Sequence, residues 1–319
     1  MGLVPDLWNS PWQVRHHVLS RIARYFRVLW INPAAEWRQA WRSPLSHSRV
    51  EQHPVPGLEV HSPDLWLPRF YRPRYFAEAL WRARLRNGLS ILRRSRCKRI
   101  ILYLWRPEFA PVLDLIKHDM SCYHVDDEYS FSDIEMPVSE EESRLLQRVD
   151  QVLIHSPKLL EKKGKFNPHT LFVPNGVDYE RYAHPVAEPT DLISIPRPRI
   201  GYAGWIKKQL DWELISALTV KHPQWSFVFV GARKPHSEIE TPIRKLSLQP
   251  NVYFLGAKTV NELAAYPQHF DVCIMPYQIN SYTNYIYPMK LHEYLASGCP
   301  VVSAPIHSLQ PFLEWIPLP

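Results

Sequence analysis

Short runs of β-branched and apolar residues alternate with stretches of helical periodicity along this chain, in two rounds separated by a proline-bearing break. A strand, a helix and a further strand close most simply as a parallel unit with a right-handed crossover, so the pattern points to α/β architecture before any motif is considered. In the first round, residues 3–8, 27–31, 99–105, 120–125, 151–155 and 169–173 read as strands. Helices are expected over 12–26, 73–94, 107–118, 139–149 and, capped by Ser156, up to Lys163. Val14, Val18, Ile22 and Phe26 lie four apart and form the apolar face of the first helix. Residues 32–68 are rich in proline and histidine and read mostly as loop, with one outlying strand near 58–61. The second round places strands at 199–203, 226–230, 252–255 and 272–275, with helices over 210–220, 239–246 and 260–266. Residues 179–198 carry few apolar side chains and several prolines, which puts a domain boundary near residue 194. Two Rossmann-like parallel-sheet domains are therefore expected, 1–194 and 195–319.

Composition narrows the setting. Thirty-one prolines against ten glycines mean that turns are made mostly by proline, so each glycine marks a place where backbone must approach something. No run of about twenty apolar residues is present to span a membrane. The first six residues have neither the basic nor the apolar segment of a signal peptide, so the expected location is cytoplasmic. Cys97, Cys122, Cys273 and Cys299 are too far apart for a metal pattern, and the last three lie in apolar runs that suit buried thiols. The formal charge of +7 is uneven: residues 1–117 hold 20 Lys and Arg against 8 Asp and Glu, and the remainder hold 18 against 23. Such a basic half suits peripheral contact with the anionic inner face of a membrane or with an acidic acceptor; nucleic acid and a plain solvated helix face are the alternatives. Aromatics interleave with arginine from Phe70 to Phe76, where either ring stacking on a ligand or packing of a helix start accounts for them.

The stretch Tyr287 to Ser303 carries the most chemistry. Pro288 suits a helix start, Leu291, Tyr294 and Leu295 follow at helical spacing, Gly298 supplies a stop, and Pro300-Val301-Val302 begins a buried strand. Free N–H groups from Met289 onward, with Lys290 beside them, form a place for phosphate. Glu293, one turn later, can accept hydrogen bonds from a diol. Phosphate beside a sugar diol is what a nucleotide-sugar presents. Gly201-Tyr202-Ala203-Gly204 with Lys207 and Lys208 follows the first strand of the second round, where glycine lets backbone N–H groups approach a phosphate. In the first round, the strand 120–125 runs into Asp126 and Asp127, at the carboxyl end where open parallel sheets collect ligands. Adjacent residues on extended chain point opposite ways, so one of the two faces a ligand. Asp127 is the first choice and His124 the next, with a structural turn as the alternative. No nucleophile elbow, His-Glu-x-x-His or Walker loop is present, and the histidines show no ligand spacing.

Pro-x-Lys-x-x-Glu-Tyr-Leu-Ala-x-Gly-x-Pro-Val-Val, from Pro288 to Val302, resembles the donor-site signature of bacterial glycosyltransferases with the GT-B fold, close to glycosyltransferase families 4 and 1. Asn175-Gly176-Val177-Asp178 is similar to the segment where those chains leave their first domain. The resemblance implies two Rossmann-like domains facing a cleft, and transfer of a sugar from a nucleotide diphosphate donor to a glycan or lipid-linked acceptor in cell-surface polysaccharide or glycolipid synthesis. It implies a retaining reaction with no cofactor and no metal. It assigns Gly204, Lys207, Lys208, Met289, Lys290 and Glu293 to the donor, and Asp127 and His124 to the reacting sugars. Two positions depart from the pattern: Trp205 stands where an arginine is common, and Tyr285 where the first of a glutamate pair falls, which turns attention to the loop 280–284 for sugar contacts. The family continues past the last strand to a helix this chain lacks, so a fragment short at its C-terminal end is expected. A non-catalytic nucleotide-binding relative, a nucleic-acid-binding protein and a sugar-nucleotide epimerase are the competing readings.

Overall fold

The computed structural model describes the chain except residues 11, 35–48, 53–54, 64–73, 95, 131–133, 234–236 and 314–319. Phe70 to Pro73, the start of the aromatic-arginine stretch, lie outside the described residues. The chain forms two compact units, 1–173 and 174–319.

The first unit holds an eight-stranded sheet: β1 (Gly2–Leu3), β2 (Val28–Ile31), β3 (Arg49–Gln52), β4 (Leu58–Ser62), β5 (Ile101–Leu104), β6 (Met120–Val125), β7 (Gln151–Ile154) and β8 (Thr170–Phe172). Their order is β3-β4-β2-β1-β5-β6-β7-β8. Every neighbouring pair is parallel except the edge strand β3, which runs antiparallel to β4. The order reverses between β1 and β5, the position at which such sheets open a crevice beyond their carboxyl ends. Leu102, Leu104, Tyr123, Val125, Val152 and Ile154 are fully buried, as strands covered on both faces require. Ser139 caps the helix Glu140–Arg148 by accepting from Glu142 N at 3.2 Å, with three glutamates in the first turn to complement the helix dipole.

The second unit holds β9 (Arg199–Ala203), β10 (Ser226–Val230), β11 (Val252–Gly256), β12 (Val272–Met275) and β13 (Val301–Ser303), all parallel, in the order β11-β10-β9-β12-β13. The reversal lies between β9 and β12. Tyr202, Phe227, Phe229 and Met275 lie at the centre of its core. A Cβ added to Gly201 would fall 2.0 Å from the Phe270 ring, which is why β9 carries glycine in mid-strand.

Several elements differ from the sequence expectation. The first helix spans Val14–Ile22, and Phe26, placed on its buried face, is instead 55% exposed beyond its end. The expected helix 107–118 divides at Pro111 into a single 3₁₀ turn, Pro107–Phe109, and a short helix, Val112–Leu115. The Ser156 side chain makes no cap; Pro157 at the first helical position starts that helix. The expected linker holds two short helices, Tyr179–Ala183 and Thr190–Ile193, and Leu192 and Ile195 enter the core of the second unit. Leu192 and Ile195 thus belong with the second compact unit, 174–319.

Candidate functional site

At the reversal point of the second sheet, β9 ends in Ala203 and Gly204. Gly204 has φ +136° and donates its N–H to Val230 O at 2.7 Å. Across from it, Lys290 Nζ donates to Ala203 O at 2.7 Å and lies 5.1 Å from the centre of the Tyr202 ring. A Cβ on Gly204 would fall 1.7 Å from that Nζ, so glycine is what lets the lysine cross to the strand end. Gly231 ends β10 in the same way, with φ +140°, and a Cβ there would fall 2.1 Å from Gly204 O. Two glycines on neighbouring strand ends thus sit back to back. Burial lowers the Lys290 pKa, while the Glu293 carboxylate opposes that shift. Tyr294 OH accepts from Ala203 N at 2.9 Å and fixes the middle of the donor-side helix to the same strand end.

That helix spans Met289–Ala296. Pro288 is its N-cap, one position earlier than the first turn, and brings no side-chain acceptor; no acidic residue lies in the first turn. The first N–H groups are therefore left for an incoming anion. The helix ends in a Schellman motif: Cys299 N donates to Tyr294 O at 3.2 Å and Gly298 N to Leu295 O at 3.1 Å, with Gly298 at φ +74°. The loop before it is tied by Asn175, whose Nδ2 donates to Tyr287 O at 2.8 Å. Tyr182 hydrogen-bonds Glu293, and burial beside that carboxylate pushes the phenol well above its ordinary pKa. Tyr182 comes from the segment expected to be a linker, and Asn175 from the stretch just before it.

The loop after Gly204 is held on two sides. Ile206 N donates to Ala232 O at 2.9 Å, and Asp211 N to Pro276 O at 2.7 Å. Lys207 is half-buried with its ammonium 5.9 Å from the centre of the Tyr277 ring, whereas Lys208 is exposed. Trp205, standing where an arginine is common, accepts from Tyr202 OH through its backbone carbonyl at 2.8 Å. Tyr285, 3% exposed, fills the core instead of carrying an acid. In the loop 280–284, Thr283 N donates to Asn280 Oδ1 at 2.9 Å and Asn280 N to Thr283 Oγ1 at 3.0 Å, so these two polar side chains are committed to each other.

In the first unit the crevice end carries a different arrangement. Asp126 turns inward, accepts from Tyr129 OH, and pairs with Arg15 Nη2 at 2.8 Å; Arg15 also pairs with Asp6 at 2.5 Å. Asp127 is half-buried and accepts from Glu128 N at 2.8 Å. His124 is only 3% exposed, stacked on Trp105 at 4.2 Å, with Tyr103 OH 2.9 Å from its Nδ1. Burial, with His155 and Arg15 nearby, lowers its pKa to about 3 and keeps the ring neutral. Beneath them Lys163, 0% exposed, pairs with Glu142 at 2.7 Å and Glu128 at 3.2 Å, and Tyr123 OH donates to Glu142 at 3.0 Å. Arg15, Lys163, Gly231 and Tyr182 were not singled out by the sequence. Gly231 had a readable signal, since it follows its strand as Gly204 follows its own; the charged pairs had none. Among the described residues no cluster of three or more His, Cys, Asp or Glu is arranged to hold a metal.

Residues 197–313 match the family model for Glycosyl transferases group 1. That match lies within the second unit. Similarity extends along the chain: a Bacillus subtilis (strain 168) protein assigned as the teichuronic acid biosynthesis glycosyltransferase TuaH is 28% identical over 301 residues, covering 88% of this chain and 73% of its own length. Sucrose-phosphate synthase from Thermosynechococcus elongatus superposes with a TM-score of 0.66 at 17% identity, covering 93% of this chain and 76% of that one. The UDP-forming α,α-trehalose-phosphate synthase from Burkholderia xenovorans gives 0.61 at 11% identity, covering 98% and 91%. The architecture is GT-B, two Rossmann-like sheets, as in both synthases.

Proposed function

We propose that this protein transfers a sugar from a nucleotide diphosphate donor to a glycan or lipid-linked acceptor in building a cell-surface polymer. The observation that carries the reading is the meeting of Lys290, Gly204 and the uncapped start of the helix Met289–Ala296 at the reversal point of the second sheet. There the N–H groups of Met289 and its neighbours, with Lys290, Lys207 and Lys208, hold the diphosphate. Glu293, oriented by Tyr182, accepts from the ribose hydroxyls. As the bond from anomeric carbon to diphosphate oxygen breaks, its electron pair leaves with the diphosphate, where preorganised donors and cations stabilise it. The acceptor oxygen bonds to that carbon, and its hydroxyl proton passes to the departing diphosphate oxygen. Asp127 orients the reacting sugars. The TuaH relationship supports a cell-surface polymer as product, and a trehalose-6-phosphate synthase of the same fold, whose glycosyl transfer proceeds with retention, supports retention. Electrostatics come from lysines and N–H groups, with neither a metal nor a cofactor assigned a role.

Glu293→Ala tests the donor assignment. Its nucleotide affinity is expected to drop about tenfold, the worth of one charge-assisted hydrogen-bond set, with an unchanged thermal midpoint. An unfolded variant, or one with unaltered affinity per folded molecule, places Glu293 in the scaffold instead. The buried Tyr285 favours a second reading in which the unit binds nucleotide without turnover; product formation from a nucleotide-sugar and an acceptor decides between them.

A further inference from the structure

The second sheet carries a row of three aromatic rings, one from each of three neighbouring strands. Phe229 of β10 is in register with Tyr202 of β9 and with Phe254 of β11. The ring centres of Tyr202 and Phe229 lie 6.3 Å apart, and those of Phe229 and Phe254, which stack, 5.2 Å apart. Tyr202 and Phe229 are fully buried, whereas Phe254 is half-buried and brings the row to the surface. A cation closes the row at each end. Lys290 Nζ lies 5.1 Å from the centre of the Tyr202 ring, and the Arg233 guanidinium 4.9 Å from that of Phe254. The two cations thus cap rings two strand spacings apart, roughly 10 Å. Arg233 is also held through its backbone. It forms an isolated parallel bridge with Ile206, and Ile206 N donates to Ala232 O at 2.9 Å, so the loop after β10 runs beside the loop after Gly204. Arg233 is exposed, and its guanidinium has no ion pair or hydrogen bond among the described residues.

We infer that Arg233 reads the nucleobase of the donor and selects an oxo base, uracil or guanine, over the amino bases cytosine and adenine. The inference rests on the donor reading above, which puts the diphosphate at Lys290. From there the nucleoside has two directions along the sheet. Toward β13, Pro276 and Tyr277 follow β12 with buried side chains that fill that end. Toward β11, Gly204, Gly231 and Gly256 stand at three adjacent strand ends with positive φ and no side chain, and Gly231 N donates to Gly256 O at 2.8 Å. That direction leads to Arg233. Stacking on Phe254 covers one face of the guanidinium and fixes its plane, so it meets a ligand with its edge of N–H donors. Those donors suit O6 and N7 of guanine or O4 of uracil. Adenine and cytosine place an amino group at the same corner, where donor would face donor.

Calorimetric titration of the whole chain with UDP, CDP, GDP and ADP tests it. In whichever pair binds more tightly, pyrimidine or purine, the oxo nucleotide is expected to bind about tenfold tighter than its amino counterpart, within the range of one directed base contact. Arg233→Ala should bring that ratio to about one by weakening the oxo nucleotide, with an unchanged thermal midpoint. Arg233→Lys should lose the ratio too while keeping more of the affinity, since it supplies the charge without the planar fork. Lys290→Met should weaken all four alike and leave the ratio standing. Four nucleotides bound without preference, or a preference that survives Arg233→Ala, overturns the inference and leaves the donor reading in place. An equal loss for all four in Arg233→Ala assigns Arg233 to the diphosphate, and a lowered midpoint with the ratio intact assigns it to shielding Phe254 from water; either result overturns the inference. Failure of all four to bind removes the donor reading and the inference together.

Discussion

At the reversal point of the second sheet, Lys290 meets a backbone carbonyl and the face of an aromatic ring, and the helix beside it begins without a cap. At the reversal point of the first sheet, Arg15 is closed between Asp6 and Asp126, and Lys163 between Glu128 and Glu142. Both ends concentrate charge where parallel sheets collect ligands. One leaves its positive groups open to an anion, while the other neutralises its charges internally and presents Asp127 at the surface of a fixed scaffold. Under the proposed function, anion binding falls to the second unit and a fixed scaffold to the first.

Breaking the scaffold should cost most. In Lys163→Met, Glu142 is left buried without its cation while Glu128 keeps only Lys162 at 3.3 Å, and removing one partner of such a group typically destabilises by about 3–5 kcal/mol. Chemical denaturation should show the first unit unfolding early while the second keeps its transition; a loss below about 1 kcal/mol would mean the pairs are solvated. Next in size is Gly231→Ala. Holding alanine at a glycine-type φ costs roughly 1–3 kcal/mol, and the methyl group would also press on Gly204 O, so nucleotide affinity should fall together with stability. Retained affinity in a destabilised variant would separate Gly231 from the site.

The smallest effect concerns acid. Burial lowers the pKa of His16, His124 and His155 in the first unit, with His124 reaching about 3. The unfolded chain takes up protons near pH 6.5 that the folded unit refuses, so stability is fully present above that pH and falls as pH drops below it. Among the described histidines of the second unit, half-buried His292 alone is lowered in the same way. Thermal midpoints followed from pH 7.5 to pH 5 should therefore fall more for the first transition than for the second. A parallel decline of both would remove the comparison.

Much of the fold was legible because buried parallel strands leave unbroken apolar runs: β6, β9, β10 and β12 lie where those runs begin and end. The linker was misread because Leu192 and Ile195 are isolated among prolines, and sequence distance hides that they enter a core. Of the candidate site, Gly204, Lys290 and Glu293 were picked out from one compact stretch and one strand end, and the fold brings Lys290 against the Gly204 strand end. Arg15 and Lys163 were not, since a charged residue near a helix end looks solvated until the fold delivers its partner from elsewhere in the chain. His124 looked accessible beside two aspartates, but strand alternation sends its side chain into the packed face against Trp105.

The central claim, that Lys290 and the open helix start form the anion site, is tested most directly by thermal stabilisation of the wild type and of Lys290→Met in a panel of nucleoside diphosphates. The account predicts that at least one diphosphate raises the midpoint of the wild type by mass action, and that Lys290→Met, equally folded, loses at least tenfold in affinity. Equal affinity of the two proteins for the same diphosphate would contradict it.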